Sequence, residues 1–597
     1  MTLSPEWRNK IEQWRDAIGR MIFEPVAPVA FSGFRTRQQL SVEEALRKPM
    51  TPMPAGMPWG AKWEYAWLRA SLVTPPNAVG RRLLLRLGPP GAFSHPPAGE
   101  GRFIVDGREA GGYDSYHPQV TLARRAEAGR TYDVLIELYA GHGPTPCGNG
   151  PVLDGEPAVA ESPETQRVIP PAHLGLWHEE AYQTWLDLET LLEVRDHLDA
   201  NSLRVAKIDE GLKAFCTAFD PEAPATERLN TLAAARRHHL TPLLRCRNGS
   251  TAPRFFCFGH SHIDVAWLWP LAETERKVAR TFATQLALME EYPEFRFLQS
   301  QPVLYEMVQR LYPELFERIR EAVRKGLWIA EGGMWVECDT NIAGGEAMIR
   351  QLLYGLAWFR EQFGVECRML WLPDVFGYSG ALPQILKGVG LEYFSTQKIF
   401  WNYNGEAAIP FQNFWWEGID GTRLLTHLHH DYNSATNPAT LIRRWNNRVQ
   451  KEGMDSRLIP FGHGDGGGGP TRDHLEFLRR QKDLEGAPRC RIASPLDFFR
   501  ALKRQARRQE WPVFVGELYY QAHRGTYTSQ ARTKRGNRRG EFALRELELW
   551  GVLARRVGWN YPRPAVDGLW KMLLLNQFHD ILPGSSIRRV YEEAEAA

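Results

Sequence analysis

The chain has 597 residues, 43% of them hydrophobic and 24% charged, with a formal net charge of +3. That length implies three or four domains, and the near-neutral balance excludes a globally basic nucleic-acid binder or a disordered polyelectrolyte. No run approaches about eighteen uninterrupted apolar residues, so no membrane span is expected.

The N-terminus, Met1 to Arg8, lacks a basic segment followed by an apolar one, so no secretory signal is expected. Trp7, Ile11, Trp14, Ile18 and Met21 recur at three- and four-residue steps and predict an amphipathic helix over 6–22. Acidic Glu6, Glu12 and Asp16 on its polar face favour packing on a neighbouring domain over membrane binding. Residues 1–59 are therefore read as a helix and an extended segment. From 60 to 180 the chain is rich in Gly and Pro, with short apolar runs at 82–87, 102–105 and 132–138. Strands separated by turns predict a β-sandwich, read as structural rather than carbohydrate-binding. Helical periodicity over 182–196 and 206–219 marks 181–250 as a helical linker. The seven cysteines, Cys147, Cys216, Cys246, Cys257, Cys338, Cys367 and Cys490, are scattered and lack any CxxC spacing. They read as free thiols in a reducing, cytoplasmic compartment.

Residues 251–510 alternate apolar strands (254–258, 295–299, 327–331, 368–372, 392–396, 423–428 and 457–461) with amphipathic helices. Such alternation predicts a parallel α/β sheet or barrel, in which the site lies just after the strands. Acidic and imidazole residues recur there. The first strand leads into His260-Ser261-His262-Ile263-Asp264, a spacing that can place two imidazoles and a carboxylate on one side of an extended chain. That is a natural start for a divalent-metal site. Later strands lead to Glu337-Cys338-Asp339, to Asp374, to His427, His429 and His430, and to His463-Gly464-Asp465. Gly464-Asp465-Gly466-Gly467-Gly468-Gly469-Pro470 lacks the Lys-Ser/Thr ending of a P-loop and the GxGxxG of a dinucleotide site. It reads as a turn that lets backbone and Asp465 approach a ligand closely. The basic run 532–539 is followed by Glu541, Glu546 and Glu548 and has no interleaved aromatics, so it reads as structural or as a substrate rim. Residues 511–597 read as a helical bundle carrying His579-Asp580.

Together, GHSHIDVAWLWP (259–270), EGGMWVECD (331–339), WLPDVFGYSGALPQIL (371–386), FWWEGIDGTRLLTH (414–427), GHGDGGGGPT (462–471), HRGTYTSQARTKRGNRR (523–539) and NQFHDILPGSSI (576–587) resemble glycoside hydrolase family 38, the zinc-dependent retaining α-mannosidases, in the cytosolic and vacuolar type also found in bacteria. The resemblance runs from about Tyr113 to the C-terminus. It implies a multidomain α/β protein with an N-terminal β-sandwich, a central seven-stranded (β/α) barrel and a C-terminal helical bundle. It also implies hydrolysis of terminal α-D-mannosyl residues by double displacement. The implied metal ligands are His262, Asp264, Asp339 and His579, with Zn²⁺ as the cofactor and Co²⁺ as its substitute. Asp339 is implied as the nucleophile. Asp465 is the candidate acid/base, with Asp374 the alternative. His260, Trp267, Trp335, Asp374, Tyr378, His427, His523 and Asp580 are implied to line the pocket or support it. The family continues for several hundred residues beyond the bundle, so the chain reads as truncated, and its completeness as an enzyme is left open.

The expected partner is a mannose-containing oligosaccharide, with neither nucleic acid nor membrane, and a homo-oligomer is left open. Two other readings compete. A metal-dependent polysaccharide deacetylase needs metal-activated water but no nucleophilic carboxylate, and WVECD with NQFHD favours the mannosidase. A carbohydrate-binding scaffold would bind sugar or metal without turnover.

Overall fold

The computed structural model describes residues 3–88, 99–141, 143, 163–401 and 409–597. The amphipathic helix forms as Pro5–Met21, capped by Ser4, whose hydroxyl accepts from Trp7 N–H at 3.4 Å. Its apolar face, with Ile11 and Ile18, packs among helices Glu179–Asp196 and Leu203–Ala218.

The sandwich is built from a four-stranded and a six-stranded antiparallel sheet. The first has the order Phe23–Pro28, Ala172–Trp177, Leu83–Leu87, Gln119–Ala123. The second runs Thr51–Met53, Phe31–Thr36, Tyr65–Val73, Thr131–Tyr139, Glu100–Val105, Arg108–Tyr113. Leu68, Phe103 and Ile136 of one sheet and Leu85, Leu174 and Leu176 of the other share its core. The sandwich therefore takes strands from 23–53, a stretch expected to be only helix and extended segment. Those strands are short and interrupted by Pro25 and Pro28, so their alternation is weak in the sequence.

Strand Arg108–Tyr113 lies on helix Leu271–Glu291 of the following domain, where Gly112 N–H donates to Thr284 Oγ1 at 2.8 Å. Buried polar bonds tie the two domains together: Tyr65 Oη to Glu273 at 2.9 Å, Gln39 Nε2 to the Ala272 carbonyl at 2.8 Å, and Glu100 to both Lys277 and Arg280.

All seven predicted strands form. In spatial order they are Ser456–Phe461, Arg254–His260, Phe297–Gln299 and Trp328–Ala330 in one parallel sheet, then Met369–Trp371, Tyr393–Thr396 and Arg423–Leu428 in a second. A single parallel bridge, Gly332–Leu370, joins the two sheets. Each sheet gains further strands: Arg489–Ile492 in the first, and antiparallel Asn413–Glu417 with Val513–Val515 in the second. Among the described residues no ladder joins Arg423–Leu428 to Ser456–Phe461. Helices Ala531–Ala554, Arg563–Asn576 and Arg588–Ala596 follow, the first two packed together.

Helix Gly345–Phe363 can lie this close only because residue 355 is glycine. A Cβ there would stand 2.2 Å from the Gly333 carbonyl oxygen and 2.6 Å from Met334 C. Gly355→Ala must push the helix off the segment that leads to Asp339. A loss of about 3 kcal/mol is expected, read as a lowered thermal midpoint. Six cysteines, Cys216, Cys246, Cys257, Cys338, Cys367 and Cys490, are free, and Cys147 lies outside the described residues. No helix among the described residues is long and apolar enough to cross a membrane.

Candidate metal centre and active site

Four buried side chains from three distant segments meet past the C-terminal ends of the parallel strands. His262, Asp264, Asp374 and His579 each offer a ligand atom within 4.8 Å of one another. The backbone delivers them in pairs. Asp264 N–H donates to the Asp465 carbonyl at 2.9 Å, and Ile263 bridges Gly466, so the HSHID segment and the glycine loop lie side by side. Asp339 N–H donates to the Gln577 carbonyl at 2.9 Å and His579 N–H to the Glu337 carbonyl at 3.3 Å. The WVECD segment thus receives the C-terminal segment and sets His579 in place.

The hydrogen bonds indicate what the cluster lacks. His579 Nδ1 is 2.7 Å from the Glu337 carbonyl, to which it must donate. Its Nε2 faces Asp264 Oδ1 at 3.4 Å, Asp580 Oδ2 at 3.7 Å and Asp374 Oδ2 at 3.9 Å, yet makes no hydrogen bond. In neutral imidazole that nitrogen carries a lone pair, so a lone pair points at three carboxylate oxygens. A cation between them removes the conflict. His262 is held differently: its Nε2 is hydrogen-bonded to Asp264 Oδ1 at 2.9 Å, and its Nδ1 lies 3.1 Å from Glu337 Oε2. Ser300 Oγ donates to the other Glu337 oxygen at 2.6 Å and fixes that carboxylate. A carboxylate behind a ligating histidine orients the ring and raises its basicity. Burial opposes charge on both imidazoles, but the carboxylates outweigh it and hold both pKa values above the ordinary one. Two nitrogen and two oxygen donors fit a divalent transition metal.

The four side chains that meet differ by one from the expected ligand set. Asp374, not Asp339, completes the four-residue group. Asp374 Oδ1 also accepts from Lys398 Nζ at 2.5 Å. Asp339 lies within electrostatic reach of His579 and Lys534, but its Oδ1 accepts from Asn341 N–H at 3.0 Å and Ile342 N–H at 2.6 Å. Those backbone bonds turn one carboxylate oxygen toward the chain that follows, which a motif cannot reveal. Burial pushes the Asp339 pKa up, against the pull of these bonds.

Asp465 sits in the left-handed region at φ 61° and accepts from Tyr432 Oη at 2.7 Å. Burial, then the charges of Asp264 and Asp374, push its pKa to about 6. Asp580, bonded to Ser585, is pushed to about 7, first by burial and then by Asp264.

Residues 252–517 match the glycosyl hydrolases family 38 N-terminal domain, 521–597 the alpha mannosidase middle domain, and 27–152 the alpha-mannosidase jelly roll domain. Alpha-mannosidase 2C1 of Homo sapiens is 35% identical over 581 residues, which cover 96% of this chain and 54% of that protein. Alpha-mannosidase G of Dictyostelium discoideum is 32% identical, over 93% of this chain and 50% of its own length. The chain belongs to glycoside hydrolase family 38. It spans about half the length of these curated relatives. An alpha-mannosidase structure from Enterococcus faecalis V583 shares its fold, with a TM-score of 0.50 at 21% identity, over 58% of this chain and 41% of that one.

Among the other residues singled out from sequence in this family 38 chain, His523 lies near the cluster and packs edge-on to Phe376 at 4.7 Å, within electrostatic reach of Asp374. His260 ends its strand with Nδ1 donating to the Leu298 carbonyl at 3.1 Å and Nε2 accepting from Trp371 at 3.3 Å. Both its nitrogens are used, so only His262 and Asp264 of HxHxD enter the cluster. Trp267 packs edge-on against Trp269, whose Nε1 donates to the Asp264 carbonyl at 3.0 Å. Tyr378, also within electrostatic reach of Asp374 and Glu337, is buried, its hydroxyl bonded to the Leu372 and Val375 carbonyls and to Thr396. His427 bonds Asn413 at 2.7 Å and packs on Phe498, and Trp335 lies in the core with Lys571 4.4 Å from its ring centre. These three are buried. Sequence reasoning gave Glu337 no role of its own and missed Lys398, Tyr432 and Lys534. Glu337 stands inside the EGGMWVECD string and Lys398 just past a strand end, and those positions were the available signals.

Proposed function

We propose that the protein is a retaining, metal-dependent α-mannosidase that removes terminal α-D-mannosyl residues from oligosaccharides. The reading rests on one observation: in a family 38 chain, a buried cluster of two histidines and two aspartates stands beside two further carboxylates in different environments. On this reading His262, Asp264, Asp374 and His579 hold Zn²⁺, with Co²⁺ as the alternative. The bound ion supplies positive charge that orients sugar hydroxyls and favours a distorted ring near the oxocarbenium-like transition state.

Asp339 is the nucleophile. Two backbone N–H groups hold Oδ1, leaving Oδ2 to attack C1 as the glycosidic C1–O bond breaks. Asp465 gives its proton to the departing oxygen, then takes one from the water that attacks C1 and releases Asp339, so configuration is retained. Asp465 suits this role better than Asp374, whose oxygens face Lys398 and His579. The strands are read as a (β/α) barrel and the last helices as a bundle. The free thiols support a cytoplasmic location.

The test is hydrolysis of an aryl α-mannoside with chelator, Zn²⁺ and Co²⁺ arms, and the anomer first released read by NMR. Stoichiometric metal without turnover, or an inverted product, would sink the reading. The pH profile is a second expected result. The acid must be protonated, so kcat/KM falls as pH rises through the Asp465 pKa. Positive charge on Asp264 and Asp374 relieves part of the upward push, so that limb lies at or below about 6. With a substrate whose leaving group needs no protonation, the alkaline limb of kcat/KM should vanish in the parent itself.

A further inference from the structure

Asp465 stands at the tip of a glycine loop whose two legs pair with each other. His463 N–H donates to the Gly469 carbonyl at 3.1 Å, and Gly469 N–H returns to the His463 carbonyl at 2.9 Å. Gly462, Gly467, Gly468 and Gly469 all have positive φ, as does Asp465 itself. Such a backbone has little stiffness of its own, so the position of the Asp465 carboxylate depends on what grips the loop from outside.

Part of that grip comes from the catalytic domain. Thr281 Oγ1 accepts from Gly468 N–H at 3.0 Å, Gln285 Nε2 donates to the Gly468 carbonyl at 2.8 Å, and Ser261 Oγ donates to the His463 carbonyl at 3.0 Å. The rest comes from the N-terminal sandwich, through the turn after strand Arg108–Tyr113. The Tyr116 ring stacks on the His463 ring, with centroids 3.3 Å apart and planes 5° apart, at one leg. His117 Nε2 lies 3.3 Å from the Pro470 carbonyl at the other. His117 Nδ1 is 2.9 Å from both Asp114 oxygens. Asp114 Oδ1 in turn accepts from the Tyr116 and His117 backbone N–H groups at 2.8 and 2.9 Å. Asp114 Oδ2 also lies 3.0 Å from where a Cβ on Gly468 would stand. Both nitrogens of His117 thus face acceptors, the arrangement that suits an imidazolium.

We propose that the N-terminal sandwich is a positioning element of the active site, in which Tyr116 and the Asp114–His117 pair clamp both legs of the glycine loop and hold the Asp465 carboxylate at the glycosidic oxygen. This rests on the assignment of Asp465 as acid/base. None of the three residues touches the reacting atoms. Their removal leaves Thr281, Gln285 and Ser261 in place, as well as the Asp264 N–H and Tyr432 hydroxyl bonds to Asp465, so the loop stays folded and only the aim of its tip loosens. Misplacing a catalytic group by about 1 Å can cost as much as about 10²-fold, and a partial grip should cost about tenfold.

The effect must be confined to the step that uses the proton. In the full chain, Tyr116→Ala and His117→Leu are compared with the parent on two substrates. Dinitrophenyl α-mannoside has a leaving group that departs without protonation, and α-mannobiose has one that requires it. The expected result is an about tenfold lower kcat/KM on mannobiose, a ratio that reports only the steps up to glycosidic cleavage, with bound metal and thermal midpoint unchanged and the dinitrophenyl kcat/KM within about twofold. His117→Gln, which keeps an amide donor for the Pro470 carbonyl, should recover much of the loss. Equal losses on both substrates, or none on either, would overturn the proposal. Asp465→Asn separates the two layers of the argument. If it keeps parental activity on mannobiose, the acid assignment falls. If it loses that activity while the sandwich variants do not, only the clamp falls.

Discussion

Asp339→Asn lowers aryl α-mannoside turnover by at least ~10⁴-fold while metal stays bound, whereas Asp374→Asn loses the metal itself. The contrast follows from where the two carboxylates sit. Asp374 is one of four side chains whose ligand atoms lie within 4.8 Å of one another. Its neutral amide removes a charge that the imidazole nitrogens and any cation rely on. Asp339 spends one oxygen on backbone N–H groups at 3.0 and 2.6 Å. An amide oxygen can still accept those bonds, so the fold around residue 339 survives, but it cannot form a stable glycosyl ester. Metal content by mass spectrometry and turnover on one aryl substrate separate the two. If Asp339→Asn lost the metal and Asp374→Asn kept it, the ligand set drawn from the structure would be wrong and the set implied by the sequence motifs right.

Stripping the metal should be the other large effect, on stability as well as activity. Without a cation, Asp264, Asp374 and Asp580 face the His579 Nε2 lone pair across 3.4–3.9 Å. Buried like charges and unmet polar atoms are costly. A ligand held at a thousand times its Kd contributes about 4 kcal/mol, so chelation should lower the thermal midpoint by several degrees and abolish turnover together. Zn²⁺ or Co²⁺ should restore both. His579→Ala should remove the metal-dependent part of the midpoint shift, since it deletes one of the two nitrogen donors. A midpoint indifferent to chelator in the parent would count against a bound structural and catalytic ion.

The seven catalytic-domain strands were legible because apolar runs such as Phe255-Phe256-Cys257-Phe258 are long, buried on both faces and bounded by clear turns. The strands at 23–36 were not, because two or three alternating residues broken by proline carry little periodicity. At the site, the motifs named the right neighbourhoods but could not rank the carboxylates within them. Whether Asp339 or Asp374 turns toward His579 depends on which one the following backbone captures, and that is a matter of local turn geometry. Tyr378 and His427 belong to matching strings yet are consumed by carbonyls and an asparagine in the core. A motif records that a residue belongs to the neighbourhood, not which way its side chain faces.

His262 and His579 lie roughly half the chain apart, and this sets a clock. During synthesis at about 5–20 residues per second, the second imidazole follows the first by about 15–60 s. Over that interval the nascent domain can form its strands and gather three of the four cluster residues, but it lacks the nitrogen that closes the group. A partly made chain therefore has no complete cage to trap a wrong ion. The four-residue group closes late and all at once, when the segment carrying His579 pairs with Glu337 and Asp339.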